Sequence, residues 1–325
     1  MEDMLKREKI SSDISIRPKS FDGYIGQENI KKNVQVFIKS AIKREEALDH
    51  MLFYGPPGTG KTTIAGIIAE SMNVKLHVTT GPAIEKPGDM AAMLTSLEEK
   101  DVLFIDEIHR IKRSVEELLY PAMEDFAIDI MIWQGNSTKA VRLKLPKFTL
   151  IGATTRPGML SSPLRDRFGS INRLELYTSE QLQQIIMRAS IAVGVPIDED
   201  AALETAKRSR GTPRIAIRIL KRLRDFAMAS DKSRITLPDT LSAMKDLGID
   251  ECGLDATDIR LMRAIHEVFK DGPVGLETLS SFTGEDQSTI EDIYEPFLMQ
   301  SGFLSKTPKG RVLNQAGIDY LSKIE

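Results

Sequence analysis

The segment Gly55-Pro-Pro-Gly-Thr-Gly-Lys61-Thr62 constrains this chain more than any other stretch of it. An apolar run from Met51 to Tyr54 precedes it and a helical pattern from Thr63 to Met72 follows, so the loop leaves a strand and opens a helix. Glycines let successive backbone N–H groups converge on phosphate oxygens, and the helix N-terminus adds its own preference for anions. Gly58 and Gly60 then belong to a phosphate cradle, Lys61 supplies a point charge to the outer phosphates, and the Thr62 hydroxyl is placed to ligate Mg²⁺.

Such a loop acts only with partners elsewhere. Forty-five residues beyond Lys61, the apolar run Val102 to Ile105 ends in Asp106-Glu107, which puts two carboxylates at a strand terminus. Asp106 is suited to hold the same Mg²⁺ and Glu107 to polarise an attacking water. Another apolar run, Phe148 to Ala153, ends in Thr154-Thr155, either of which can hydrogen-bond a terminal phosphate or that water. Pro163-Leu-Arg165-Asp-Arg167-Phe168 offers two arginines that could reach a neighbouring subunit's nucleotide. Gly211-Thr-Pro-Arg214 opens a basic helix, where a cation is electrostatically misplaced unless an anion lies nearby.

The order of patterns gives the fold class. Short β-rich runs (51–54, 76–79, 102–105, 148–151, 173–176) alternate with helical patterns through residue 177, as in a parallel α/β sheet. Residues 178–250 read as a small helical domain, with Leu182, Ile185, Ile186 and Ala189 on one helix face. Residues 251–325 read as three helices and a β-wing around Thr307-Pro-Lys-Gly310, a common duplex-binding module. The expected domains are therefore 1–177, 178–250 and 251–325. Lys306, Lys309 and Arg311 cluster in the wing, yet the last segment carries 7 Lys+Arg against 13 Asp+Glu, so this module should hold DNA weakly without help. His266 on its apolar helix reads as a satisfied core histidine.

Between Glu124 and Gly152 the pattern is two-periodic, with Ile128, Ile130 and Ile132 answered by Val141, Leu143 and Leu145 across Gly135-Asn-Ser-Thr, which makes a β-hairpin. Its other face carries Met131 and Trp133 opposite Arg142 and Lys144, and apolar side chains on a projecting insertion want a partner. The single cysteine, Cys252, excludes an intrachain disulfide, and no His/Cys spacing suits zinc. With neither a signal-like start nor an apolar run near the roughly 18 residues of a membrane span, a cytoplasmic chain with no membrane association is expected.

The residues together resemble the AAA+ ATPases and, more narrowly, the RuvB family of Holliday junction branch-migration motors. The carriers are Arg17-Pro-Lys-Ser-Phe-Asp-Gly-Tyr-Ile-Gly26-Gln, the phosphate loop through Thr63, Leu103-Phe-Ile-Asp106-Glu107-Ile-His109-Arg110, Gly152-Ala-Thr-Thr-Arg156, Pro163-Leu-Arg-Asp-Arg167-Phe-Gly169 and Arg210-Gly-Thr-Pro-Arg214-Ile-Ala. The resemblance covers essentially the whole chain. It implies a P-loop AAA+ parallel sheet with a helical lid domain and a C-terminal winged helix. It also implies a homo-hexameric ring that hydrolyses ATP with Mg²⁺ to pull double-stranded DNA through a four-way junction held by RuvA, with RuvC as a further candidate partner.

Carried over by position, the resemblance places Ile16 and Arg17 beside the adenine and Gly58, Gly60, Lys61, Thr62 and Thr63 on the phosphates and metal. Glu124, Asp125 and Phe126 join the nucleotide surroundings, and Tyr177 the seam between the first two segments. Thr154 becomes the sensing residue of the strand, Arg167 the arginine finger and Arg214 the second sensor, with Arg165 and Arg210 as rivals. Lys306 and Arg311 become DNA contacts, and Ile132 and Trp133 the RuvA contact. Two other classes remain to be separated by experiment: a nucleotide-switched clamp loader or assembly scaffold, and a winged-helix transcription regulator with an attached ATPase.

Overall fold

The computed structural model describes residues 16–134 and 137–324, with side chains at all of them except 131–134 and 137–140. The described chain groups into two compact units, residues up to 194 with 211–217, and 195–210 with 218 onward.

In the first unit, helix α1 (Glu28–Arg44) leads into strand β1 (Met51–Tyr54), α2 (Lys61–Met72), β2 (Leu76–Thr80), α3 (Pro87–Thr95), β3 (Val102–Asp106) and α4 (Arg113–Glu124). A hairpin, β4 (Ala127–Gln134) with β5 (Ser137–Lys144), precedes β6 (Thr149–Thr154), the short α5 (Ser162–Arg165), β7 (Ser170–Arg173) and α6 (Ser179–Ala192). Five strands form one sheet in the order β2-β3-β6-β1-β7, with every neighbouring pair parallel.

Burial on both faces explains why these strands read as unbroken apolar runs. Met51, Phe53, Phe104 and Ile151 pack on one face with Val34 and Ile38 of α1 and Ile64 and Ile68 of α2. Leu52, Leu103, Ile105 and Leu150 pack on the other with Met90 and Leu94 of α3 and Val115 and Leu119 of α4. Each such side chain contributes about 1.5–3 kcal/mol of transfer free energy, so the sheet is a stiff platform for the loops at its strand ends.

The last strand of the sheet is Ser170–Arg173, where the apolar pattern pointed to 173–176. Its register is fixed by β1, Met51 opposite Ser170 and Tyr54 opposite Arg173, and an edge position lets Ser170, Asn172 and Arg173 replace apolar residues. Segment 178–194, expected in a separate lid, counts with the first unit, as does 211–217; the Tyr177 amide donates to Gly211 O at 2.8 Å.

The hairpin forms, but its strands run to Gln134 and from Ser137, leaving a two-residue connection where four were expected. Ile128 pairs with Leu143 and Ile130 with Val141 as the alternation required, whereas Ile132 pairs with Lys139 and Trp133 with Thr138. The side chains of Met131, Ile132 and Trp133, and with them the expected partner contact, lie outside what the structure describes.

In the second unit, α7 (Glu199–Lys207), the greater part of α8 (Pro213–Ala229) and α9 (Leu237–Asp246) precede α10 (Ala256–Arg263), which continues as a π-helical turn Ala264–Val268. Then come α11 (Leu276–Thr283), a third helix assembled from α12 (Gln287–Thr289), a π turn Ile290–Tyr294 and α13 (Glu295–Gln300), the antiparallel wing β8 (Leu304–Thr307) and β9 (Gly310–Leu313), and α14 (Gln315–Ile324). Leu261, Ile265, Leu279, Ile290, Leu298, Leu304, Leu313 and Leu321 share one core, so the final helix, absent from the sequence expectation, closes this module. No helix among the described residues is long and apolar enough to cross a membrane.

Candidate active site

The carboxyl ends of β1, β6 and β3 lie side by side, because β6 separates the strand that feeds the phosphate loop from the strand that ends in Asp106. Tyr54 is level with Thr154, and the Gly55 amide donates to Thr154 O at 3.3 Å. A parallel sheet offers this edge as its natural binding crevice. Gly58, at φ +81°, lies so close to the start of α8 that a Cβ there would come within 2.9 Å of the Arg214 Cβ. The Arg214 amide faces Gly58 O at 3.4 Å, and the Arg214 side chain is exposed.

Lys61 is buried, and its Nζ donates to Gly55 O at 2.8 Å and Pro56 O at 2.9 Å. Burial pushes its pKa down to about 8, against the pull of Asp106 and Glu107 and assisted by the like charge of Arg214. The lysine is therefore a desolvated cation whose bonds go to neutral carbonyls, an arrangement that a phosphate would relieve. Tyr177, buried, donates to Thr59 O at 3.1 Å and accepts from the Tyr24 hydroxyl at 3.2 Å, which braces the loop from beneath. Burial raises both phenols, so both stay protonated donors. Ile16 is buried and Arg17 exposed, while Thr62 and Thr63 stand half-buried in the first turn of α2.

Asp106 ends β3 and accepts the Glu107 amide on Oδ1 at 3.0 Å. Glu107 takes φ +53°, and its carbonyl occupies the space of a missing side chain: a Cβ on Gly81 would lie 2.3 Å from Glu107 O. The left-handed backbone turns the Glu107 carboxylate away from the strand line and leaves it 38% exposed. Thr154 is fully buried; its Oγ1 accepts the Arg156 amide at 3.0 Å and meets His109 Nδ1 at 2.8 Å. The other ring nitrogen, His109 Nε2, is 3.6 Å from Glu107 Oε2.

Arg167 does not lie among these groups. Its Nη1 donates to Pro163 O at 2.6 Å, its Nη2 to Glu124 Oε2 at 3.1 Å, and its guanidinium stacks 4.5 Å over the Tyr120 ring. Its Nε is buried without a hydrogen-bond partner among the described residues. Asp125 bonds Arg142 at 2.5 Å, and Phe126, at φ +49°, packs edge-on against Phe148. Glu124 and Arg167 are thus brought together as one group at the end of α4, with Asp125 and Phe126 next in the chain. Arg165 faces its neighbour Asp166 at 4.0 Å. Arg210, weighed earlier as a rival to Arg214, donates to Gly253 O, Asp255 and Asp258 within the second unit, so its charge is already matched. Asp258 is fully buried beside it, and burial raises its pKa to about 6 against the pull of Arg210.

In the wing, Arg311 is buried, with Nε on Glu295 Oε1 at 2.5 Å and Nη2 on Glu295 Oε2 at 3.2 Å. The Nε–Nη2 edge of the guanidinium is taken by a carboxylate, so a DNA phosphate that meets Arg311 would have to compete with Glu295 for it. Lys306 is exposed but bonds Glu291 at 2.8 Å, and Lys309 is exposed at the wing tip.

Family models match the whole of this architecture: that of the Holliday junction DNA helicase RuvB P-loop domain at residues 16–174, that of the RuvB AAA lid domain at 177–250, and that of the RuvB C-terminal winged helix domain at 251–322. The chain belongs to the RuvB family. A solved structure of the Thermotoga maritima RuvB Holliday junction branch migration motor is 49% identical, covers 95% of this chain and 98% of its own, and superposes with a TM-score of 0.86. A point variant of Thermotoga maritima RuvB gives 49% identity, coverage of 94% and 98%, and a TM-score of 0.87.

The RuvB P-loop domain binds nucleotide, and the donor set here fits a magnesium-bound triphosphate. Thr62 and Asp106 are hard oxygen donors at a helix start and a strand end, and no group of three or more metal-binding side chains occurs among the described residues. Two protein oxygens, with phosphates and water completing an octahedron, is how Mg²⁺ is held at such sites. Three residues of this RuvB-family site were passed over in the sequence: Tyr24 under Tyr177, Tyr120 under Arg167, and His109 between Thr154 and Glu107. Tyr24 and His109 each stood inside a quoted motif, His109 three residues past Asp106, whereas Tyr120 had no such signal.

Proposed function

We propose that this chain is an ATP-driven motor that moves Holliday junctions by pulling duplex DNA. The observation that carries this reading is the placing of Thr154 between the Lys61 loop and the Asp106–Glu107 pair, on a chain matched by all three RuvB domains. Lys61 and the loop amides hold the phosphates, Glu107 takes a proton from the attacking water, and the Thr154 hydroxyl orients that water or the terminal phosphate. Thr62 and Asp106 would hold the Mg²⁺, which would neutralise phosphate charge. Ile16, Arg17, Tyr177 and Arg214 surround the rest of the nucleotide.

Arg167 and Glu124, with Asp125 and Phe126, act on a neighbouring subunit's nucleotide, because they gather away from their own phosphate loop. The assembly is a homo-hexameric ring in the cytoplasm, organised as an ATPase domain (1–177), a lid (178–250) and a DNA-binding winged helix (251–325). RuvA docks on the hairpin strand that carries Ile132 and Trp133, RuvC joins the same complex, and Lys306 with Lys309 grips duplex DNA. The test is movement of a synthetic four-way junction by the full chain with ATP and Mg²⁺, with and without RuvA. Junction movement that needs hydrolysis and RuvA is expected; one turnover per loading event, with no sustained movement, would overturn the motor reading in favour of a loader.

A further inference from the structure

We propose that His50 is a positioning residue for the Glu124–Arg167 pair, held through both of the segments that carry the pair. The inference deepens the reading above and rests on Arg167 acting on a neighbouring subunit's nucleotide. Its basis is where the hydrogen bonds of one buried residue go. His50 lies immediately before β1, and its Nδ1 accepts the Leu150 amide of β6 at 2.8 Å. A backbone N–H can only donate, so Nδ1 presents its lone pair and the ring proton sits on Nε2. Nε2 therefore donates to Met123 O at 3.0 Å, in the last turn of α4. The last carbonyls of a helix have no partner within it, and this one belongs to the peptide that joins Met123 to Glu124.

Phe126 packs against the same imidazole, with ring centroids 6.1 Å apart. One ring thus holds the backbone just before Glu124 and the side chain just after Asp125. The His50 main chain holds the other partner: its carbonyl accepts the Gly169 amide at 2.9 Å and faces the Ser170 amide at 3.4 Å, two and three residues past Arg167. Glu124 and Arg167 are forty-three residues apart, and their 3.1 Å bond needs these two segments to be docked in register. His50 is bonded to both. An apolar residue could fill the space beside Phe126 and Phe148, but it would leave the Met123 carbonyl and the Leu150 amide unpaired. Burial lowers the pKa of His50 against the pull of Asp49, which keeps the ring in the neutral form that both bonds require.

The two ring nitrogens can be tested separately in the full chain, because an Asn oxygen reaches the place of Nδ1 and a Gln nitrogen that of Nε2. His50→Asn keeps the Leu150 bond and loses the one to Met123; ATP hydrolysis should fall by about tenfold or more, with ATP affinity within about twofold of the parent, since the Lys61 loop is untouched. His50→Gln keeps the Met123 bond and should retain about a third or more of the parent rate. Each variant leaves one buried backbone group unpaired, so a role in folding alone would make the two alike. Mixing subunits adds a second readout. Lys61→Ala subunits bring a sound Arg167 to the intact loop of His50→Asn, and hydrolysis should rise about threefold or more over the sum of the two proteins, whereas Arg167→Ala subunits should give that sum and no more. Equal rates for the Asn and Gln variants, a parental rate for His50→Asn, or no gain with Lys61→Ala would overturn the inference. Should His50→Asn fail to fold, His50→Gln decides, and a rate below about a tenth of the parent's with ATP affinity intact would overturn it. The mixture of Arg167→Ala with Lys61→Ala reads the action of Arg167 by itself: no gain there would overturn that reading and this inference with it, and a gain there without one for His50→Asn sinks the inference alone.

Discussion

Lys61 rests on two neutral carbonyl oxygens, those of Gly55 and Pro56, whereas Arg311 is closed on Nε and Nη2 by the single carboxylate of Glu295. Both cations are buried, and both stand where the sequence suggested a phosphate would bind. The difference lies in what a phosphate has to displace. At the loop it displaces dipoles and supplies the countercharge that burial withholds; at the wing it competes with an anion already in place at hydrogen-bond distance. A cation held by carbonyls is poised for a ligand, and a cation held by a carboxylate is part of the fold.

The largest test of this contrast is to remove the poised cation. Lys61→Ala should lower ATP affinity by about a hundredfold or more, since several charge-assisted bonds to phosphate go with it, while the melting temperature without nucleotide holds or rises. Equilibrium binding of a fluorescent ATP analogue measures the first and calorimetry the second. A variant that binds ATP normally would break the comparison at its stronger end.

Removing the committed cation should show the opposite signature. Arg311→Ala leaves the buried Glu295 with only the Lys306 ammonium, 3.9 Å away, as countercharge and should cost about 3 kcal/mol of unfolding free energy, read by denaturant titration. Duplex affinity, followed over a salt series, should change mainly through that loss of stability. An Arg311→Ala protein of parental stability whose salt dependence falls by a full phosphate contact would return Arg311 to the DNA surface.

The pH dependence of nucleotide binding comes next. Lys61 has a folded pKa lowered to about 8, below the 10.5 of a free lysine, so the nucleotide-free fold favours the neutral amine. The stability this group contributes is present above pH 10.5 and is lost as pH falls through about 8, where the buried amine must take up its charge. Phosphate favours the charged amine, so binding takes up a proton above pH 8 and affinity should fall there by up to about tenfold per pH unit. Calorimetry at pH 7 and 9 in buffers of different ionisation enthalpy counts that proton; a value of zero at pH 9 refutes the poised cation.

The smallest expected effect belongs to Lys306. Its bond to Glu291 is exposed, so Lys306→Ala should leave stability within about 0.5 kcal/mol and lower the slope of log K against log salt by about one unit, equally for different duplex sequences. An unchanged slope would move the DNA grip off this residue.

The same contrast explains what the sequence disclosed. The loop, its strand and its helix are contiguous, and Asp106, Thr154 and the apolar runs before them are local patterns, so the sheet and its reactive edge were legible from residues 51 to 154. The pairing of Arg311 was not legible because Glu295 lies sixteen residues upstream on another element, and nothing local marks the pair. Arg210 was left open for the same reason, its carboxylates being forty-five and forty-eight residues away. Strand β7 was displaced because an edge strand needs few apolar residues, and α14 was passed over although Ile318, Tyr320 and Leu321 turn toward the core of its module. His109 was visible as a letter in a motif, but nothing local shows that its two nitrogens face Thr154 and Glu107 at two different strand ends.

Gly81 carries no functional group and lies outside every motif that marks this chain, yet the carbonyl of Glu107 fills the place where any side chain would begin. Heritable variation at that position therefore has a hidden dependence on the reaction. A change as small as Gly81→Ala has no direct claim on the nucleotide, but its methyl would have to push Glu107 from the backbone conformation that turns its carboxylate outward. Its bearer would be expected to look like a carrier of a Glu107 lesion, with ATP bound and unspent, and a survey of damage confined to charged residues would pass over the cause.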